Sequence, residues 1–214
     1  MKNFGLVILL FVLTTCSYAQ EMRTIIRKDS TKTFTLGGYG EPFAGATQLN
    51  KDWGIMIGIK GGMVINRHFA FGPVAKVYAG LWEFQGNNLN YNDSANLELY
   101  MGSIGFFMEY SIKMESPIHI SIPVNIMIGG VQINEDMGAG DVTFDEMENN
   151  VYNIESSGLV IIEPGVNIDF NVAKFFIPNI KVGYRLAMGT QLVNVSNQDL
   201  SGIYFGLGLK FGKF

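Results

Sequence analysis

From Trp53 to Ile65 the chain alternates with period two. Odd positions read Trp53, Ile55, Ile57, Ile59, Gly61, Met63 and Ile65, and even positions Gly54, Met56, Gly58, Lys60, Gly62 and Val64. Side chains of a β-strand point to opposite faces in turn, so this segment is a strand with one apolar face and one small or polar face. The pattern recurs. Ile118, Ile120, Ile122, Val124, Ile126 and Ile128 oppose His119, Ser121, Pro123, Asn125 and Met127. Val160, Ile162, Val166, Ile168 and Phe170 oppose Glu163, Asn167, Asp169 and Asn171. Ile203, Phe205, Leu207, Leu209 and Phe211 oppose Tyr204, Gly206, Gly208 and Lys210.

Extended along the chain, the pattern predicts eight strands, at 34–46, 52–66, 69–84, 96–113, 117–133, 158–171, 175–188 and 201–213. Each is long enough to cross a bilayer as a tilted strand, which takes about 9–11 residues. The first alternates poorly. Short connections at 67–68, 114–116 and 172–174 alternate with longer ones at 85–95, 134–157 and 189–200; 47–51 is short for its place in that series. Short turns on one side and long polar loops on the other fit an up-and-down transmembrane barrel with both termini periplasmic. Phe69, Phe71, Tyr110, Phe170, Phe176 and Phe211 then fall outward near the periplasmic interface, where such barrels carry an aromatic girdle. Alternating strands also build soluble lipocalin-like barrels and sandwiches, with the apolar face inward. The opposite faces here are poor in Lys and Glu for a water-exposed surface, which favours the all-β, eight-stranded antiparallel transmembrane barrel.

Composition adds to this picture at the ends. Residues 1–19 combine Lys2, an apolar run from Phe4 to Leu13 and Ser17-Tyr18-Ala19, the form of a secretory signal cleaved after Ala19. Lipoprotein processing at Cys16 is the rival reading, with Thr15 a poor fit before the cysteine. Residues 20–33 read as a periplasmic leader, and 34–214 as the barrel. The chain has 15 Lys and Arg against 19 Asp and Glu, so it is mildly acidic and lacks the basic stripe that nucleic acid requires. Cys16 is the only cysteine, which leaves the processed chain without disulfides or thiolate-bound metal. No cofactor is indicated. Asp136, Asp141, Asp145, Glu146 and Glu148 make loop 134–157 acidic, but without EF-hand spacing the expectation is a solvated loop and no metal site.

The segments GIKGGMVINRHFAFG, SPIHISIPVNIMIGG, IIEPGVNIDFNVAKFF, VGYRLAMG and GLGLKFGKF resemble a family of small, mostly uncharacterised Gram-negative outer-membrane β-barrel proteins. The likeness covers residues 34–214 and implies fold and location, not an activity. The outer-membrane lipid and lipopolysaccharide would surround the molecule. Barrels of this kind commonly end in an aromatic residue with apolar residues on the same face. Phe214 supplies the ring, but Gly212 and Lys210 share its parity, a departure from that pattern.

With the apolar rows outward, the lumen receives Lys60, Lys76, Glu109, His119, Ser121, Asn125, Glu163, Asn167, Asp169, Lys181, Arg185, Tyr204 and Lys210. Eight strands enclose room for little beyond side chains, and charges confined there must pair. The expectation is a non-enzymatic, monomeric barrel with a filled polar lumen, meeting an unknown protein or surface ligand through its loops. Two alternatives stand beside it. One is a narrow channel. The other is a lipid-modifying hydrolase, in which folding strand 96–113 onto 117–133 sets Glu109 opposite Ser121 and near His119. A family of lipid A deacylases is similar in having a histidine and a serine two residues apart on one strand. Here both residues lie on the inward parity near the periplasmic end, away from the outer leaflet.

Overall fold

The protein, seen as a computed structural model, is described over residues 34–49, 52–82, 97–135, 153–193 and 195–214. The signal and leader segments, Cys16, loop 85–95 and the acidic residues of 136–148 lie outside the described residues. The eight strands are β1 (Leu36–Leu49), β2 (Asp52–Ile65), β3 (Phe69–Trp82), β4 (Leu97–Ile112), β5 (Ile118–Glu135), β6 (Asn153–Phe170), β7 (Phe176–Met188) and β8 (Gly202–Lys213). Every neighbouring pair is antiparallel, and β8 returns to β1, so the sheet closes into a barrel. Closure gives each strand two partners and leaves no sheet edge, the condition for a sheet to lie in hydrocarbon.

β1, β5 and β6 run further at the loop end than their hydrophobic patterns suggested, while β2, β7 and β8 are each one residue shorter. β1 continues to Leu49, where Gln48 pairs with Trp53. β5 and β6 are 18 residues each and consume both flanks of the expected 134–157 loop; their register shifts at Ile133 and Asn134. Polar residues such as Gln132, Ser156 and Ser157 hold ladder positions there, because backbone pairing continues past the apolar belt.

Side-chain sorting follows the alternation. Ile55, Ile104 and Ile128 point outward and are 63, 63 and 64% exposed. Exposure of that degree, repeated from strand to strand as a continuous apolar wall, requires a non-aqueous surrounding. At the turn end, Phe69 lies against Phe71 with ring centroids 6.0 Å apart, and Phe176 stacks on Phe211 at 4.9 Å. Trp53 packs on Phe205 at 4.9 Å toward the loop end. No helix among the described residues is long and apolar enough to cross a membrane; the strands do the crossing.

One pairing differs from expectation. Ser111, not Glu109, faces Ser121, and Glu109 faces Pro123. The expected turn 114–116 closes two residues too early: Ile112 pairs with Ile120, Lys113 takes φ 55°, and Ile118 and His119 pair with β6 instead. A slip of two residues preserves which face each side chain occupies, so the inside–outside assignment survives while the proposed Glu109–Ser121 apposition does not.

Candidate functional site

The lumen is stacked in three layers. Nearest the turn end, Tyr39, Val64, Ala70 and Ile177 are buried, and Phe214 packs beneath them with its ring 5.7 Å from Tyr39. The shift of the terminal ring to the inward parity is thereby accounted for: Phe214 closes the bottom of the barrel, while Phe211 faces outward.

The middle layer is ionic. Glu109 on β4 accepts from Lys60 (2.5 Å) and Lys210 (2.6 Å). Lys60 also reaches Glu41 on β1 at 3.1 Å, and Glu41 pairs with Lys181 on β7. Lys210 continues to Asp169 on β6 at 2.8 Å. Asn167 donates to Glu109 (3.3 Å) and to Ser121 (3.2 Å), and Asn179 donates to Glu41 (2.9 Å). A second cluster, nearer the loops, centres on Glu163, which accepts from Lys76, from Tyr78 at 2.6 Å and from Asn125 at 3.1 Å. Lysine ammonium groups also sit over ring faces, Lys60 at 4.7 Å from Phe107 and Lys76 at 4.9 Å from Tyr204.

Glycines make this density attainable. A Cβ on Gly208 would lie 2.3 Å from Glu41 Oε1, and one on Gly183 would lie 2.4 Å from the Tyr204 hydroxyl. The void left between Phe43, Lys76, Asn125, Lys181 and Tyr204 is about 10 Å³, about the space of a single water.

The top layer is apolar, where the expectation was a filled polar lumen. Met56, Leu99, Met101, Met127, Val131, Ile133, Leu159 and Ile161 fill the loop end. The β7–β8 connection folds inward over them, burying Leu192, Val195 and Leu200. Arg185 fastens that connection. Its guanidinium donates to the Leu200 carbonyl (2.7 Å), the Gln48 carbonyl (2.8 Å) and the Thr47 hydroxyl (2.7 Å), and lies 4.8 Å from the centre of the Tyr78 ring. Among the described residues Arg185 has no carboxylate at ion-pair distance. From outside, Ser157 and Glu155 of β6 accept the backbone N–H groups of Gln191 (2.8 Å) and Val193 (3.0 Å).

All nine charged or ionisable residues expected inside are buried: Lys60, Lys76, Glu109, His119, Glu163, Asp169, Lys181, Arg185 and Lys210. Among the described residues, Glu41 is the buried carboxylate that the expectation left out. Its strand is inverted in bulk, with Tyr39, Glu41 and Phe43 inside and Gly38, Gly40 and Ala44 outside. The signal available was arithmetic: five enclosed cations set against three acids call for a further carboxylate.

The hydrolase arrangement is not assembled. Ser121 donates its hydroxyl directly to Asp169 Oδ2 at 2.5 Å, and His119 Nε2 lies 3.6 Å from that same oxygen, so the carboxylate and not the imidazole meets the hydroxyl. A triad needs the imidazole between hydroxyl and carboxylate. Glu109 serves the two lysines instead. No group of three or more metal-ligating side chains occurs among the described residues.

A closed antiparallel barrel with an apolar exterior and an ion-paired interior is an integral outer-membrane β-barrel, crossing the membrane with strands. No protein-family model matches the chain, and no curated protein matches it by sequence. Among solved structures it is similar to the Neisserial surface protein A, at 16% identity and TM-score 0.49, covering 86% of this chain and all of that one. It is similar also to a major outer membrane protein of Thermus thermophilus (11%, 0.49, covering 82% and 99%) and to the attachment invasion locus protein Ail of Yersinia pestis (11%, 0.43, covering 83% and 97%).

Proposed function

We propose that this barrel is a non-enzymatic, non-conducting scaffold of the outer membrane that presents its loop-end connections to a partner at the cell surface. The observation that carries the reading is the filling of the lumen: an ionic middle layer covered by apolar side chains at the loop end, with a void of about 10 Å³ beside Phe43 and Tyr204. A conducting barrel needs a continuous aqueous path, and a hydrolase needs a cleft beside its nucleophile. The second does not fit Ser121, which is fully buried and already hydrogen-bonded to a carboxylate. What such a rigid frame offers is its loops, the usual carriers of binding function. The lipid of the outer membrane and lipopolysaccharide are its expected surroundings, and a monomer its expected state.

Planar-bilayer recordings test the reading. Silence is the expected result, and stepwise conductance from the folded wild-type barrel would sink it. Lipid A profiling of cells carrying Ser121→Ala should match the wild type; a changed acylation pattern would restore the hydrolase.

A further inference from the structure

The turn end of the barrel carries a ring of cations. Arg67 stands in the β2–β3 turn, Lys113 in the β4–β5 turn, Lys174 in the β6–β7 turn and Lys213 at the end of β8, and all four are exposed. Glu115, which pairs with Arg67 at 3.2 Å, is the only acidic side chain on this rim among the described residues. Each corner of the barrel therefore holds one cationic side chain directly beyond the apolar wall, with Glu115 offsetting one of the four. Beside them are the aromatic pairs Phe69–Phe71 and Phe176–Phe211, and Val172 and Phe175, exposed 67 and 65%, flank Lys174.

Backbone geometry gives a second, independent indication. Arg67 (φ 60°) and Lys113 (φ 55°) occupy the left-handed region, where glycine or asparagine is the ordinary choice and a long side chain is disfavoured. Glycine is abundant in this chain, at 26 residues, yet neither position uses it. Strain kept at an exposed turn signals a requirement for the side chain itself.

We propose that this rim binds the anionic headgroups of phospholipids in the periplasm-facing leaflet, with one guanidinium or ammonium group at each corner meeting a lipid phosphate while the chains lie on the apolar wall. The occupant follows from charge complementarity and from continuity with the lipid-covered belt. A cation near a membrane surface is worth about 1 kcal/mol, roughly a fivefold preference at low ionic strength, declining as salt screens it. The inference goes beyond the scaffold reading; it requires that the barrel span a bilayer with its short turns on the periplasmic side.

The test is lipid selectivity measured by electron spin resonance. The full chain is refolded into phosphatidylcholine vesicles containing spin-labelled phosphatidylglycerol or spin-labelled phosphatidylcholine, with heat-modifiable gel mobility reporting separately that the barrel is inserted. The wild type should favour phosphatidylglycerol roughly two- to fivefold. The quadruple variant Arg67→Gln, Lys113→Gln, Lys174→Gln, Lys213→Gln should show none of that preference, and inorganic phosphate at constant ionic strength should not displace the labelled lipid. Single variants Lys113→Gly and Arg67→Gly provide the check should the quadruple variant not fold. Each should lower the lipid preference yet unfold at higher urea in a zwitterionic detergent, because the turn relaxes. Equal association of both lipids with the wild type, an undiminished preference in the folded variants, or displacement by inorganic phosphate would overturn the proposal.

Discussion

Arg185 donates to two backbone carbonyls and a hydroxyl at the barrel mouth, so its truncation leaves buried acceptors unpaired and frees the β7–β8 connection. Arg185→Ala should lower the unfolding free energy by about 2–5 kcal/mol and should produce brief openings in bilayer recordings; a variant as stable and as silent as the wild type would show that Arg185 does not fasten the mouth. The Lys76–Glu163 pair makes a different prediction. Removing Lys76 alone, as Lys76→Met, strands a buried carboxylate at a cost of about 3–5 kcal/mol. Adding Glu163→Leu should recover much of that loss, since two apolar side chains of similar volume replace the pair. Recovery should be incomplete, because Tyr78 and Asn125 lose their acceptor. A double-mutant cycle in urea with no coupling between the two positions would contradict this.

Within β8 the small residues are as constraining as the charges. Gly208→Val should displace Glu41 and Lys181 from each other, costing about 1–3 kcal/mol for overpacking and more where the ion pair parts; urea midpoints in detergent read the difference, and a neutral outcome would mean the lumen is looser than its contacts indicate. This strand, with β2 and β5, was legible in the sequence because an apolar face alternates with small or polar residues over many turns of the pleat. β1 was not, because Gly38, Gly40 and Ala44 make its lipid side smaller than its inner side, so period-two reading found no clear face and Glu41 went unassigned. The apolar seal at the loop end was hidden for a related reason: Met56, Met101 and Met127 share parity with lysine and serine, and parity fixes direction without fixing depth. The Glu109–Ser121 apposition failed on turn geometry, since a two-residue change in hairpin length leaves hydrophobic alternation untouched. The nine enclosed ionisable residues could be named from their parity alone, but their partners depended on barrel curvature, which joins β1 to β7 and β3 to β6 across the lumen.

The barrel of residues 34–214 turns an apolar wall outward and encloses ion pairs, the inverse of a soluble domain, and a charge on its outer wall separates the two cases. Ile128→Arg should cost about 2–4 kcal/mol if that wall lies near the bilayer midplane, read as a reduced folding yield in vesicles; a soluble protein would tolerate arginine at a site already 64% exposed. The seam between first and last strands has a consequence for assembly. Glu41, on the strand made first, is flanked by Lys60 from its own hairpin and by Lys181, which is more than a hundred residues later in the chain. Glu109 likewise waits for Lys210 on the final strand. A partly synthesised or partly inserted sheet therefore holds unmatched ions facing its own concave side. Circularisation and neutralisation must coincide, and the electrostatics itself discriminates against releasing an incomplete sheet into the hydrocarbon.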